Sequence, residues 1–187
     1  MNWKYEGGKS VKVGETFEDF QIHPFSAQYK KYFSAEKRYL RAFFKREKIF
    51  HIGSTAVKGL PGKGVIDILV LVGKKGVERA WKKLNEKTSY VPHGGLREGK
   101  RFFFARKRMF GKKPVRFHLH LMWKESAEWK KRVRFVEYLN KHPKEAKKYE
   151  KFKRQAAQKS KLRRRKYTKL KENFVQEMTE KAWKLSE

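Results

Sequence analysis

Apolar and polar positions alternate with two distinct periods along this chain. Over 26–48, Tyr29, Tyr32, Phe33, Tyr39, Leu40, Phe43 and Phe44 recur at spacings of three, four and seven. That period predicts an amphipathic helix with Ser26 as its N-cap. Residues 49–52 then read as a strand ended by Gly53. A glycine-containing loop over 53–64 leads to VIDILVLV at 65–72, a buried strand closed by Gly73. Residues 75–87 return to the helical period, with Val77, Ala80, Trp81 and Leu84 facing inward. Two more strands are predicted at 101–107 and 115–122, separated by the turn composition FGKKP. In the second of these, Val115, Phe117, Leu119 and Leu121 alternate with Arg116, His118, His120 and Met122. Strand alternation therefore places both histidines on one face. From Ser126 onward the period is helical. One helix covers 126–140 with Trp129, Val133, Val136 and Leu139 in phase, a second follows Pro143, and a third spans 167–185 with Leu170, Phe174, Met178 and Ala182. Residues 1–24 read as a short strand or two.

This element order predicts an α+β fold: a mixed β-sheet with flanking helices and a helical C-terminal half. The chain of 187 residues suits a single compact unit. Within it, an α/β core over 1–125 would carry a basic helical segment, 126–187, packed upon it.

Charge narrows the partners. Fifty Lys and Arg against 19 Asp and Glu give a formal charge of +31. Self-repulsion on that scale disfavours the compact state unless a polyanion neutralises it, and nucleic acid is the usual cellular polyanion. The densest stretch is 145–171, with 13 Lys or Arg and two acids. Its centre, KSKLRRRKYTK, supplies Lys159, Lys161, Arg163, Arg164, Arg165 and Lys166 as candidate contacts to an RNA or DNA backbone. The competing reading is a solvated helix face. The chain has no cysteine, which excludes disulfides, thiolate metal sites and thiol catalysis. The longest apolar run falls far short of the ~20 residues a membrane helix needs. The first residues, MNWKYEGGKS, lack the apolar segment of a signal peptide. The expectation is a cytoplasmic protein with no membrane association.

Candidate chemistry centres on HIGSTAVKGLPGKGVIDILV, 51–70. The turn Gly53-Ser54-Thr55 can offer backbone N–H groups and hydroxyls to a phosphate. Lys63 lies nearby, although the spacing of a Walker A loop is absent. Asp67 is the one acid in the apolar strand. It is either a structural acid with a private partner or a ligand in metal or phosphoryl chemistry. His118 and His120 share a face and could join Asp67, with His51 as a further donor, around a metal. Two imidazoles and a carboxylate suit Zn²⁺, Mn²⁺ or Fe²⁺. They could equally be hydrogen-bonded structural histidines.

The spacing of Gly53-Ser54 and Asp67 resembles the signature of the DNA polymerase beta-type nucleotidyltransferase superfamily. In that superfamily the strand acid holds a divalent metal that positions nucleotide phosphates. The usual acid-apolar-acid pattern is here Asp67-Ile68-Leu69, so the second carboxylate is missing. The resemblance sharpens with HIGSTAVxGLxGK, IDILV, the Arg-Phe-Phe strand at 101–103, HLHL and FxxYLxxHPxEAxxYxxxK. Together these are similar to the GrpB family, also called UPF0157, over about residues 20–185. The resemblance implies a nucleotidyltransferase-like fold. It also maps recurrent family positions onto His51, Gly53, Ser54, Asp67, Arg101, His118, His120, Tyr167 and Lys171. Tyr167 and Lys171 stand four apart on one helix and so share a face.

The leading expectation is metal-dependent nucleotidyl transfer to RNA, such as the 3′ end of tRNA. Asp67, His118 and His120 would form the catalytic set. Gly53, Ser54, Thr55, Lys63, Arg101, Tyr167 and Lys171 would hold the nucleoside triphosphate. The metal would be Mg²⁺ or Mn²⁺ ahead of Zn²⁺, bound by Asp67, His51, His118 and His120. The alternatives are a nucleic-acid-binding protein that has lost the catalytic site, and a metal-dependent phosphodiesterase or hydrolase built on Asp67, His118 and His120.

Overall fold

The computed structural model describes residues 21–93, 101–161 and 163–184. The strands expected near the N-terminus lie largely outside these residues. Within them, His23 exchanges backbone hydrogen bonds with Gly62 at 2.8 and 3.0 Å.

Helix α1 spans Gln28–Arg41, shorter than its apolar period suggests. The chain turns where the Arg41 guanidinium donates to the carbonyl oxygens of Phe44 at 2.8 Å and Glu47 at 2.7 Å. Phe43 and Phe44 still pack inward, as part of that turn. The N-cap position is Ala27, one residue beyond the expected Ser26, whose Oγ accepts the Gln28 N–H at 3.3 Å.

Strands β1 (Lys48–Ile52), β2 (Ile66–Val72), β3 (Val91–Pro92), β4 (Phe102–Phe110) and β5 (Lys113–Trp123) form one sheet in the order β1-β2-β5-β4-β3. The β2/β5 pair is parallel and every other pair antiparallel. The expected five-residue turn FGKKP shrinks to Gly111-Lys112, because Phe110 pairs with Lys113 in the ladder. The two-residue strand β3 has too little pattern to register in the sequence.

The sheet is buried on both faces. Helices α1 and α2 (Val77–Lys87) cover Ile66, Ile68, Val70, Phe117, Leu119 and Leu121. On the other face, α3 (Glu128–Lys141), α4 (Pro143–Lys159) and α5 (Arg164–Lys184) cover Ile52, Leu69, Leu71 and Met122. This double burial explains why β2 reads as a nearly continuous apolar run. Pro143 opens α4 at its first turn, where a missing N–H costs nothing. Leu170, expected to face inward, is exposed, while Tyr167, Met178 and Ala182 carry the buried side of α5. Among the described residues, no helix is long and apolar enough to cross a membrane.

Candidate functional site

The parallel β2/β5 pair sets Asp67 directly opposite His118 and Leu69 opposite His120. Strand alternation then turns Asp67, His118 and His120 to the same face, toward α3, α4 and α5. Asp67 Oδ1 lies 3.4 Å from His118 Nδ1 and 3.8 Å from His120 Nε2. Phe103, opposite His120 on β4, sets its ring against both imidazoles, with centroids 4.9 and 5.3 Å away. Burial works to raise the Asp67 carboxyl, but polar contact with His118 and His120, and their charge, hold it below the ordinary carboxylate range. His120 is pushed down to about 4 by burial, against the pull of Asp67 and with help from Arg132 and Arg101. At neutral pH the pair is therefore an ionised carboxylate beside a neutral His120. His120 Nδ1 is buried and has no hydrogen-bond partner among the described residues.

The turn after β1 is built against this carboxylate. Gly53 adopts φ +73°, ψ −173°, a region that L side chains scarcely enter. The short 3₁₀ turn Ser54–Ala56 follows. A Cβ on Gly62 would stand 2.5 Å from Ser54 Oγ, so the loop's return leg lies directly on the serine. Asn140 of α3 fixes the same turn: its Oδ1 accepts the Lys58 N–H at 2.9 Å and its Nδ2 donates to Ala56 O at 3.1 Å. Thr55 is buried and donates to Val65 O at 3.0 Å. It is a strut of the turn rather than a group facing the cleft.

His51 does not join Asp67. It pairs with Ile68 across β1/β2 and so points to the opposite face. There its ring stacks on Phe33 at 4.6 Å and its Nε2 contacts Thr55 Oγ1 at 3.0 Å. Because Thr55 already donates to Val65, the histidine supplies the proton of that second bond. Burial pushes His51 down to about 4. The expectation of His51 as a metal ligand is corrected by the pleat: an odd residue offset from Asp67's partner Ile52 places it on the wrong side. Among the described residues, no group of three or more His, Asp or Glu side chains is arranged to hold a metal ion. Asp67, His118 and His120 come together as a carboxylate–imidazole cluster centred on Asp67 Oδ1.

The cluster opens on a cleft of about 2480 Å³ between the sheet and the C-terminal helices. Gly53, Ser54, Lys63, Arg101, Tyr167 and Lys171 all line it. Lys63 Nζ stands 5.2 Å above the Tyr167 ring. Tyr167 is buried, and its hydroxyl is pushed up to about 12 by burial, against the charge of Lys171. From the basic segment, Lys161, Arg163 and Lys166 reach the cleft rim, while Lys159 is exposed at the end of α4. Arg164 and Arg165 open α5, and their side chains lie outside the described residues.

Three residues of the cleft carry no assigned role in the sequence pattern, although two of them, Tyr149 and Lys153, close the motif FxxYLxxHPxEAxxYxxxK. Lys153 of α4 is buried, donates to Pro61 O, and is held down to about 7 by burial and by Lys171. Tyr149, one turn earlier, is raised by burial and by the charge of Asp67. Arg132 of α3 lines the cleft and is paired with Glu128 at 3.2 Å. The available signal for the α4 pair was Tyr149-x-x-x-Lys153, an aromatic and a lysine on one helix face within a charge-dense run.

The model of the GrpB protein family matches residues 19–181. The chain belongs to the GrpB family. The glutamate-rich protein GrpB of Alkalihalophilus pseudofirmus is 30% identical over 82% of this chain and 90% of its own length. A UPF0157 protein of Halalkalibacterium halodurans is 28% identical over 84% of this chain and 80% of its own. The crystal structure of GrpB from Enterococcus faecalis superposes with a TM-score of 0.75 at 26% identity, covering 89% of this chain and 99% of that one. A mutant of the Cid1 poly(U) polymerase bound to MgATP has a TM-score of 0.50 at 13% identity, over 73% of this chain and 44% of that one. GrpB thus has a nucleotidyltransferase-like fold, and this member carries it with a strongly basic charge.

Proposed function

We propose that this GrpB protein binds a nucleoside triphosphate over Asp67 and transfers its nucleotide to the end of an RNA. The observation that carries this reading is the contact of Asp67 Oδ1 with His118 Nδ1 at 3.4 Å, on the floor of a cleft walled by lysines. A carboxylate on one imidazole nitrogen fixes the tautomer and orientation, leaving the other nitrogen to accept a proton. In the proposed step, the RNA hydroxyl oxygen bonds to the α-phosphorus. The bridging P–O bond to the β-phosphate breaks, pyrophosphate leaves with the electron pair, and the hydroxyl proton passes to His118 Nε2. The turn at Gly53-Ser54 would hold the reacting phosphate through its N–H groups. Lys63, Arg101 and Lys171 would offset phosphate charge. Any divalent cation enters as part of the nucleotide substrate, and RNA follows the basic rim at Lys161, Arg163 and Lys166.

The test is incorporation of labelled ATP, CTP, GTP and UTP into total RNA by the wild type, Asp67→Ala and His118→Ala. Labelling of a discrete RNA that disappears in both variants supports the proposal. Leu69 favours a second reading. It is fully buried where a second strand carboxylate would stand, as expected of a protein that kept RNA binding and lost catalysis. No labelling, with RNA binding unaffected by Asp67→Ala, would select that reading.

A further inference from the structure

Lys153 is among the largest fully buried side chains of the protein. Its ammonium donates to the Pro61 carbonyl oxygen and lies 4.9 Å from the centroid of the Tyr149 ring. A buried ammonium is normally matched by a carboxylate. Here the neighbouring charges are mostly of its own sign.

We propose that Lys153, Lys63 and Lys171 form an oligophosphate subsite in the wall of the cleft, and that filling it draws a proton onto Lys153. The subsite would take the triphosphate end of the nucleotide, and so rests on the nucleotide reading above. Three separate elements supply the lysines: the loop after β1, helix α4 and helix α5. All three residues line the same cleft as Ser54 and Asp67. Three amines contributed by separate elements match a chain of linked phosphates better than one compact anion. Lys63 is held over the Tyr167 ring, and Lys171 lies one turn along the same helix from Tyr167.

The groups that face Lys153 fix the direction of proton coupling. Tyr149, Glu150 and Arg154 come from its own helix, Lys63 from the loop, and Lys171 from α5. Burial comes first in holding the ammonium down to about 7, followed by Lys171, with Arg154 and Lys63 adding to it and Glu150 opposing. A bound polyanion reverses the local field, so the amine charges as the phosphate arrives. Around pH 8 the free protein holds Lys153 mostly neutral and the complex holds it charged. At pH 6 both hold it charged.

The experiment is calorimetric titration of the full chain with inorganic tripolyphosphate, in buffers of different ionisation enthalpy, at pH 8 and pH 6. Wild type is compared with Lys153→Met and Lys171→Gln. Wild type should take up close to one proton more than Lys153→Met at pH 8, and the difference should vanish at pH 6. Affinity should fall at least tenfold in Lys153→Met. Lys171→Gln should weaken binding and reduce the proton uptake, because it removes a charge that holds the free Lys153 down. Met is a near-isosteric apolar replacement at a buried position, and the melting temperature of the variant checks its fold. Equal affinity and equal uptake in wild type and Lys153→Met would overturn the proposal, as would failure of tripolyphosphate to bind at all. Tripolyphosphate binding with proton uptake but no RNA labelling would keep the subsite and remove the transfer reaction. Nucleoside monophosphate should bind without the extra proton; equal uptake with it would argue against an oligophosphate site.

Discussion

A Cβ placed on Gly53 would stand 2.3 Å from Asp67 Oδ2. The turn and the strand acid are thus one unit: the glycine lets the backbone close over the carboxylate, and the carboxylate fills the space a side chain would take. Two separate costs follow for Gly53→Ala. The φ of +73° becomes strained for an L residue, and the contact with Asp67 must open. Together they should destabilise the protein by roughly 2–3 kcal/mol. Urea denaturation reads this cost. The displaced Asp67 should also loosen its contact with His118, which a change in the chemical shifts of the His118 ring protons would report. An alanine variant with unchanged stability and unchanged His118 ring chemical shifts would show that the two residues are not coupled.

Acid should weaken the fold through His51. Its folded pKa is about 4 and its ordinary value is 6.5, so between these limits the unfolded chain binds a proton that the folded chain does not. Stability from this group is therefore complete above pH 6.5 and is lost as pH falls toward 4. His51→Gln keeps an N–H for Thr55 Oγ1 and removes the titration. The variant should lose less stability than wild type between pH 7 and pH 4.5, by roughly 2 kcal/mol after allowing for partial exposure. His120 shifts in the same direction, so the acid limb should become shallower without disappearing. Denaturation curves at several pH values make the comparison.

Much of this arrangement was legible in the chain. Alternation in VRFHLHLM gave the common face of His118 and His120, because a pleat fixes side-chain direction independently of partners. Asp67 was conspicuous for the same reason, as one polar position in a strand covered on both sides. The parallel pairing that brings Asp67 and His118 together depends on a crossover through α2, β3 and β4, and no local pattern encodes it. His51 stands two residues before Gly53 and still falls on the opposite face of the sheet from Asp67. One residue of offset in a strand reverses the face. Lys153 closes the motif FxxYLxxHPxEAxxYxxxK, but in so lysine-rich a run the motif does not say that folding buries this amine. The ends of β4 and β5 were too short in the sequence reading, since Phe110, Lys113 and Pro114 look like loop and pair as strand.

Glu36 gives a different kind of test, on the far face of the sheet. It is fully buried on α1 and receives Arg106 at 2.7 Å and Arg108 at 3.2 Å from β4. Arg106 also lies over the Tyr39 ring at 4.0 Å. Arg106→Met should cost about 3 kcal/mol, because it leaves a buried carboxylate with one partner, itself more exposed. The double variant Glu36→Leu with Arg106→Met should recover most of that loss, since no buried charge is then left behind. A double variant no more stable than Arg106→Met alone would show that packing of the arginine, rather than its charge, holds α1 to the sheet.

The basic turn between α4 and α5 should decide the salt dependence of RNA binding. Lys161, Arg163 and Lys166 reach the rim of the same cleft that Asp67 occupies. An RNA end over Asp67 would then have its backbone within reach of these three side chains. Each phosphate they neutralise releases condensed counterions, worth a slope of about 0.7 in log affinity against log salt for a single strand. Replacing all three by Gln should flatten that slope by about two units. Fluorescence anisotropy of a labelled RNA across a salt series measures it. Lys159, exposed at the end of α4 and not on the rim, serves as the internal control: Lys159→Gln should change the slope by less than any one of the three. If Lys159 matters as much as the rim residues, the attraction is a diffuse effect of the +31 charge and the cleft does not guide the RNA. If only the rim matters, the excess charge is organised around the site, and the path of the acceptor strand toward Asp67 is marked by side chains that can be replaced one at a time.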